Sequence, residues 1–319
     1  MSIDELKELL NKNLISEQQG TVLESILSKK VFSVFYELRV ILYLGVLLFT
    51  AGMGFLIYKN IGEVGHLLSI ITLAVLTVLC FWFAFKKAAP YSKEKTNVAI
   101  PYYDYVVLMG CLLLISVLGY LQYQYNIFDE KLELTTLITA GIFFIAAYRF
   151  DHLGVLSLGI TAWASFWGLS TSPQKWYSGA FFDDSNLHII AIVFGAVMIA
   201  VAMGLEKKDI KKHFTFTYVN VNILIYLVGA LAGMFMNDHS YFGYLVLLYA
   251  GCGFAVFYAN VSKSFLLLIY AFVFGYIGTT FLLADFVLDD TFIWSMYLIA
   301  SCGGFIYFII RFRNYFKRA

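Results

Sequence analysis

Residues 187–212 read LHIIAIVFGAVMIAVAMGLEKKDIKK. The first eighteen, 187–204, contain no Asp, Glu, Lys or Arg. A helix crossing a bilayer needs about 20 apolar residues, with a range of roughly 17–25. A surface helix of a soluble domain keeps a polar face; this run has none, and a helix apolar all round belongs in lipid or a deep core. Its flanks differ in sign. Asp183 and Asp184 stand before it, and Lys207, Lys208, Lys211 and Lys212 follow it.

The same reading extends outward in both directions. Apolar runs lie near 38–58, 66–85, 103–122, 133–149, 153–170, 217–236, 241–259, 263–284 and 291–310. The two narrowest divisions are Arg149-Phe150-Asp151-His152 and Asn237-Asp238-His239-Ser240. Composition agrees: 61% of the 319 residues are hydrophobic and 13% charged. A soluble domain sits nearer half apolar and a quarter charged. The fold expected is therefore all-α, a polytopic transmembrane helical bundle of about ten spans.

Charge placement tests that count independently. With the N-terminus in the cytoplasm, 19 of the 22 Lys and Arg fall on the inner side. Only Lys59, Lys131 and Lys175 fall outside. Basic residues are retained on the cytoplasmic side during insertion. Adding or removing one span would scramble the segregation, so an even number with both termini inside is expected. The formal balance is +8 inside and −7 outside. Topology alone accounts for this; an acidic outer mouth that attracts cations is the functional alternative. Net charge is only +1, which gives no reason to expect nucleic acid as a partner.

Three regions follow: a cytoplasmic amphipathic head over 1–32, a transmembrane domain over 33–310, and a basic tail over 311–319. In the head, Ser2 with Glu5 and Ser16 with Gln19 form capping-box patterns, each opening a short amphipathic helix. Two such helices bury too little to be stable alone. They are expected to pack on the protein's own inner surface, or to dock a protein partner or second protomer. The opening MSIDELKELLNKN lacks a basic region followed by an apolar one, so no cleaved signal peptide is expected.

The residues that follow carry a resemblance. Leu14-Ile15-Ser16-Glu17-Gln18-Gln19, then Glu37-Leu38-Arg39 leading into Tyr43-Leu44-Gly45-Val46-Leu47-Leu48-Phe49 and Ile57-Tyr58-Lys59-Asn60, resembles the domain-of-unknown-function 2157 family of predicted bacterial membrane proteins. The version it looks like is that of the Bacteroidetes. The resemblance implies a bacterial inner-membrane protein with many spans behind a short helical head. It implies no activity.

The spans offer little chemistry. Every Asp, Glu, Lys, Arg and His lies within a few positions of a span end, and such groups at depth are the ones that usually mark ion or proton paths. Pro90, Pro101 and Pro173 all lie in connections. Glycine is the remaining way to break a span, at Gly52-Met53-Gly54, Gly251-Cys252-Gly253 or Gly303-Gly304. Gly229-Ala230-Leu231-Ala232-Gly233 reads as a face for close helix packing. Cys80, Cys111, Cys252 and Cys302 read as small buried hydrophobes.

Candidate substrate-path residues are the neutral Thr139, Thr161, Ser165, Thr279 and Thr280. His66, His188 and His239 start three different spans on the outer side, with acids nearby. Brought together, they could hold a metal, although their spacing follows no zinc motif. Residues 171–186 are expected to be an aromatic-anchored interfacial stretch, or else a lid. Arg311, Arg313, Lys317 and Arg318 are expected to contact inner-leaflet lipid. No cofactor is expected. The function that fits best is a non-enzymatic binding, scaffold or accessory role. The alternative is a transporter or flippase for a neutral or lipid-like substrate, and a metal-dependent hydrolase using the outer histidines comes third.

Overall fold

The computed structural model describes residues 35–59, 63–96, 98, 100–171, 185–236, 241–286 and 291–312. The expected head over 1–32, His239, nearly all of the 171–186 connection, and Arg313, Lys317 and Arg318 lie outside the described residues. Ten helices among the described residues are long and apolar enough to cross a membrane. In order they are α1 (Phe35–Lys59), α2 (Glu63–Lys87), α3 (Tyr103–Tyr125), α4 (Leu132–Phe150), α5 (Leu153–Thr171), α6 (Ser185–Lys207), α7 (Thr215–Met236), α8 (Tyr241–Ser262), α9 (Phe265–Phe286) and α10 (Thr291–Phe312). A short strand, Ile127–Glu130, precedes α4, and a single 3₁₀ turn, Lys212–Phe214, precedes α7. The all-α bundle read from the sequence stands, and the narrow division at 149–152 is a genuine break between two antiparallel helices.

The chain divides into two units, Met1–Lys59 and Asn60–Ala319. The described part of the first is α1, an unbroken helix through Gly52 and Gly54, with Leu48 70% exposed. The second holds α2–α10. Its helices pack chiefly as sequential antiparallel pairs: α2 with α3, α4 with α5, α6 with α7, and α8 with α9. Helix α7 is central to the later half and also touches α5, α8 and α9. Side chains such as Ile145 and Ile299, 70% and 72% exposed, stand on outward faces. Such surface is costly in water and ordinary against acyl chains.

Glycine sets how closely the pairs approach, and it interrupts none of the three spans suggested from sequence. A Cβ added at Gly195 would sit 2.8 Å from the Asn222 carbonyl oxygen and 2.9 Å from Tyr226 Cβ. One added at Gly229 would sit 2.8 Å from Ala191 Cβ. These two glycines therefore seal α6 against α7. In the expected small-residue face, Gly229 serves α6 while Gly233 receives the Tyr244 ring of α8. Helices α4 and α5 meet almost as closely, with Gly159 beside Phe143. Gly195→Val is expected to cost about 1–3 kcal/mol, the usual price of overpacking. Chemical unfolding in detergent would read it. A stability equal to wild type would mean the seam is looser than described.

At its far end, α10 is held to α9 by stacked rings, with Phe272 and Phe308 centroids 4.1 Å apart. Hydroxyls join the same elements. Tyr276 bonds Ser301 at 2.9 Å, Thr280 bonds Tyr297 at 2.6 Å, and Thr279 bonds Tyr249 of α8 at 2.8 Å. Such bonds find no competing water in lipid. Cys80, Cys111 and Cys252 are buried as expected, but Cys302 is exposed on the face of α10.

Candidate functional site

Two features stand out, and both involve α5 and α7. The first lies at the basic end of the second unit, where α4 turns into α5. Asp151 takes a left-handed conformation with φ 57°, which ends α4. A short polar side chain tolerates this conformation better than most. The turn aims the carboxylate inward, where it is 2% exposed. Oxygen Oδ2 accepts the Thr96 backbone N–H at 2.5 Å and the Thr96 hydroxyl at 3.0 Å. It also receives the Lys211 ammonium at 3.0 Å, itself 1% exposed. The remaining oxygen, Oδ1, accepts His213 Nε2–H at 2.5 Å.

The cluster thus ties together three connections. Lys211 donates its backbone N–H to the Lys93 carbonyl at 2.9 Å, and its ammonium also reaches the Glu94 carbonyl at 3.4 Å. Arg149 donates to the Ala89 carbonyl at 2.9 Å. Ala89, Lys93, Glu94 and Thr96, which lie between α2 and α3 outside regular structure, are held by these polar contacts, as buried backbone groups require. Next to Asp151, His152 Nδ1 accepts the Val155 N–H at 3.1 Å, capping α5. The proton is therefore on Nε2, which donates to the Asp104 carbonyl of α3 at 3.0 Å.

Burial by itself would raise the Asp151 carboxyl. The Thr96 N–H, Lys211, His213 and the Thr96 hydroxyl together outweigh it and hold the group below the usual carboxylate range. A value depressed in the folded state contributes stability in full above the unfolded value of about 4. That contribution is lost as pH falls through the lower folded value. The thermal midpoint in detergent should therefore be insensitive to this group between pH 7 and pH 5 and should fall below about pH 4. Asp151→Asn should remove that acid limb. An identical limb in the variant would assign the acid sensitivity to other carboxylates.

The second feature is a cavity of about 740 Å³ between α5, α6 and α7. From α5 it is lined by Thr161, Ala164, Ser165 and Gly168; from α6 by His188 and Ala191; from α7 by Val221, Leu224 and Val228. Its walls are almost wholly apolar. It opens sideways, since Thr161, Ser165 and Val228 are exposed while His188 is 2% exposed. Thr161 and Ser165 donate to carbonyls four residues back, at 2.9 Å each, so their hydroxyls present little free polarity to an occupant.

The candidate path residues thus separate. Thr161 and Ser165 line this cavity. Thr139 is buried in α4 and donates to the Thr135 carbonyl at 2.8 Å. Thr279 and Thr280 bridge helices on α9. The histidines separate as well: His66 bonds the Tyr120 hydroxyl of α3, and His188 lines the cavity. Among the described residues, no group of three or more His, Cys, Asp or Glu that could hold a metal ion comes together. Arg311, on the last turn of α10, bonds the Tyr307 hydroxyl. The Asp151 cluster was not foreseen from sequence. Its one signal is that Asp151-His152 fills a turn too short to carry its polar groups out into water.

Comparison with known proteins gives one finding. Residues 7–156 match a family model described as predicted membrane protein (DUF2157). The resemblance to that family read from the opening residues is borne out over that stretch. The match includes Thr96 and Asp151, and it ends before Lys211, His213 and the whole of the cavity lining. No curated protein and no solved structure matches the chain.

Proposed function

We propose that this membrane protein binds a lipid-like ligand in the cavity between α5, α6 and α7, without carrying out chemistry on it. The observation that carries this reading is the cavity itself. Its volume of about 740 Å³ is that of a small-molecule site, typically about 300–1,000 Å³. Its walls are apolar, and it opens on a flank that acyl chains would cover. A chain seated there gains close packing rather than transfer out of water, so shape decides which chain is held. Tight seams at α6–α7 and α4–α5 give the site firm walls, which favours retention.

The reading also puts the basic end on the cytoplasmic side of a bacterial inner membrane, with both termini there. The skewed distribution of Lys and Arg supports this. Ser178→Cys in intact cells should react with a thiol reagent that cannot cross the membrane; labelling only after lysis would reverse the orientation. The ligand is tested by mass spectrometry of the intact protein released from detergent in the gas phase. A defined lipid-mass adduct that survives delipidating washes is expected. Its complete loss under washes that leave the fold intact would overturn the reading.

A further inference from the structure

We propose that the hairpins α4–α5 and α6–α7 move as two rigid bodies pivoting on the Asp151 cluster, so that the cavity opens and closes at the end away from it. The inference rests on the lipid-binding reading for its ligand, but the geometry behind it is independent. Helix α5 begins two residues after Asp151, and α7 begins two residues after His213. The carboxylate therefore fastens the residues just before one helix to those just before the other, through Lys211 at 3.0 Å and His213 at 2.5 Å. From Thr161 and Val221 onward the same two helices, together with α6, line the cavity.

Each hairpin is internally tight. Gly195 and Gly229 leave no room between α6 and α7, and Gly159 leaves little between α4 and α5. Interfaces packed this closely shift as units rather than deform. The compliant element is the seam between hairpins. There, the buried ionic contact sits at one end and the void toward the other. Tyr148 of α4 and Tyr218 of α7, with hydroxyls 3.2 Å apart, add a second fastening near the pivot.

Distance measurements between spin labels on the full chain test this, in a Cys302→Ser background. Leu153→Cys with Phe216→Cys reports the pivot, since both side chains are exposed beside the cluster. Ser170→Cys with Val228→Cys reports the mouth. Each pair is measured in lipid-free amphipol and in nanodiscs of phosphatidylethanolamine with phosphatidylglycerol. The pivot pair should give one narrow distribution in both. The mouth pair should give two distances whose ratio shifts toward the longer with lipid. Asp151→Asn should broaden the pivot pair, and His213→Gln should do so more weakly if Asp151→Asn fails to fold.

A pivot pair as broad as the mouth pair in wild type overturns the proposal. So does a mouth pair at one fixed distance in both media. Lipid analysis of the same samples separates the two readings. A moving mouth without retained lipid leaves the pivot standing and removes the lipid reading. Retained lipid with a fixed mouth does the reverse.

Discussion

Asp151→Asn is expected to destabilise the purified protein by about 3–5 kcal/mol. The loss does not measure how much the native ion pair contributes. It arises because the Lys211 side chain, at 1% exposed, loses the carboxylate that compensates it. Adding Lys211→Met should recover most of the loss, since replacing a buried pair by apolar groups of similar size is often neutral or stabilising. Equilibrium unfolding of the two single variants and the double variant gives the coupling between them. A double variant as unstable as Asp151→Asn alone would mean that Thr96 and His213, not Lys211, dominate the cluster. A loss below about 1 kcal/mol would place the cluster in the class of exposed ion pairs.

Ala164→Phe should empty the cavity. Ala164 lies on α5 between Thr161 and Ser165 in sequence and lines the same wall. A phenyl ring there fills the space that about three methylenes of an acyl chain would occupy, so the chain loses the close packing that holds it and returns to the bilayer. Ala196→Phe on α6 is the control, because Ala196 is exposed and is not among the cavity-lining residues. Retained lipid per protein, read by extraction and quantitation, should fall for the first variant and hold for the second. Equal retention in both would locate the lipid elsewhere on the surface.

The spans were legible because lipid imposes a coarse rule. Run length and the side of each lysine suffice to place ten helices within a few residues. Even the narrow break within 149–152 survives, because Asp151 and His152 alone can turn the chain between the two helices. The fate of those residues was not legible. Ionisable groups near span ends read naturally as solvated, and 60 positions separate Asp151 from Lys211. Nothing in Lys207-Lys208-Asp209-Ile210-Lys211-Lys212 distinguishes the one lysine that turns inward. Its burial goes with the left-handed turn at Lys211, with φ 47°, and with the Lys93 and Glu94 carbonyls that meet it.

The cavity was half legible. Thr161 and Ser165 were singled out for their hydroxyls, yet those hydroxyls are spent on their own helix. What makes the site is missing bulk at Ala164, Gly168 and Ala191, where three helices meet. A list of polar residues cannot report an absence of side chains. The small-residue face at 229–233 was read correctly as close packing, but the sequence could not say that its two glycines serve different neighbours.

The most direct test uses a phospholipid with a photoreactive diazirine near the end of one acyl chain, incorporated into membranes containing the full protein. After irradiation and digestion, adducts should concentrate on residues 161–169 of α5 and 221–229 of α7, and Ala164→Phe should remove them. Adducts spread evenly over the exposed faces of α2, α8 and α10, with no enrichment between α5 and α7, would contradict the account.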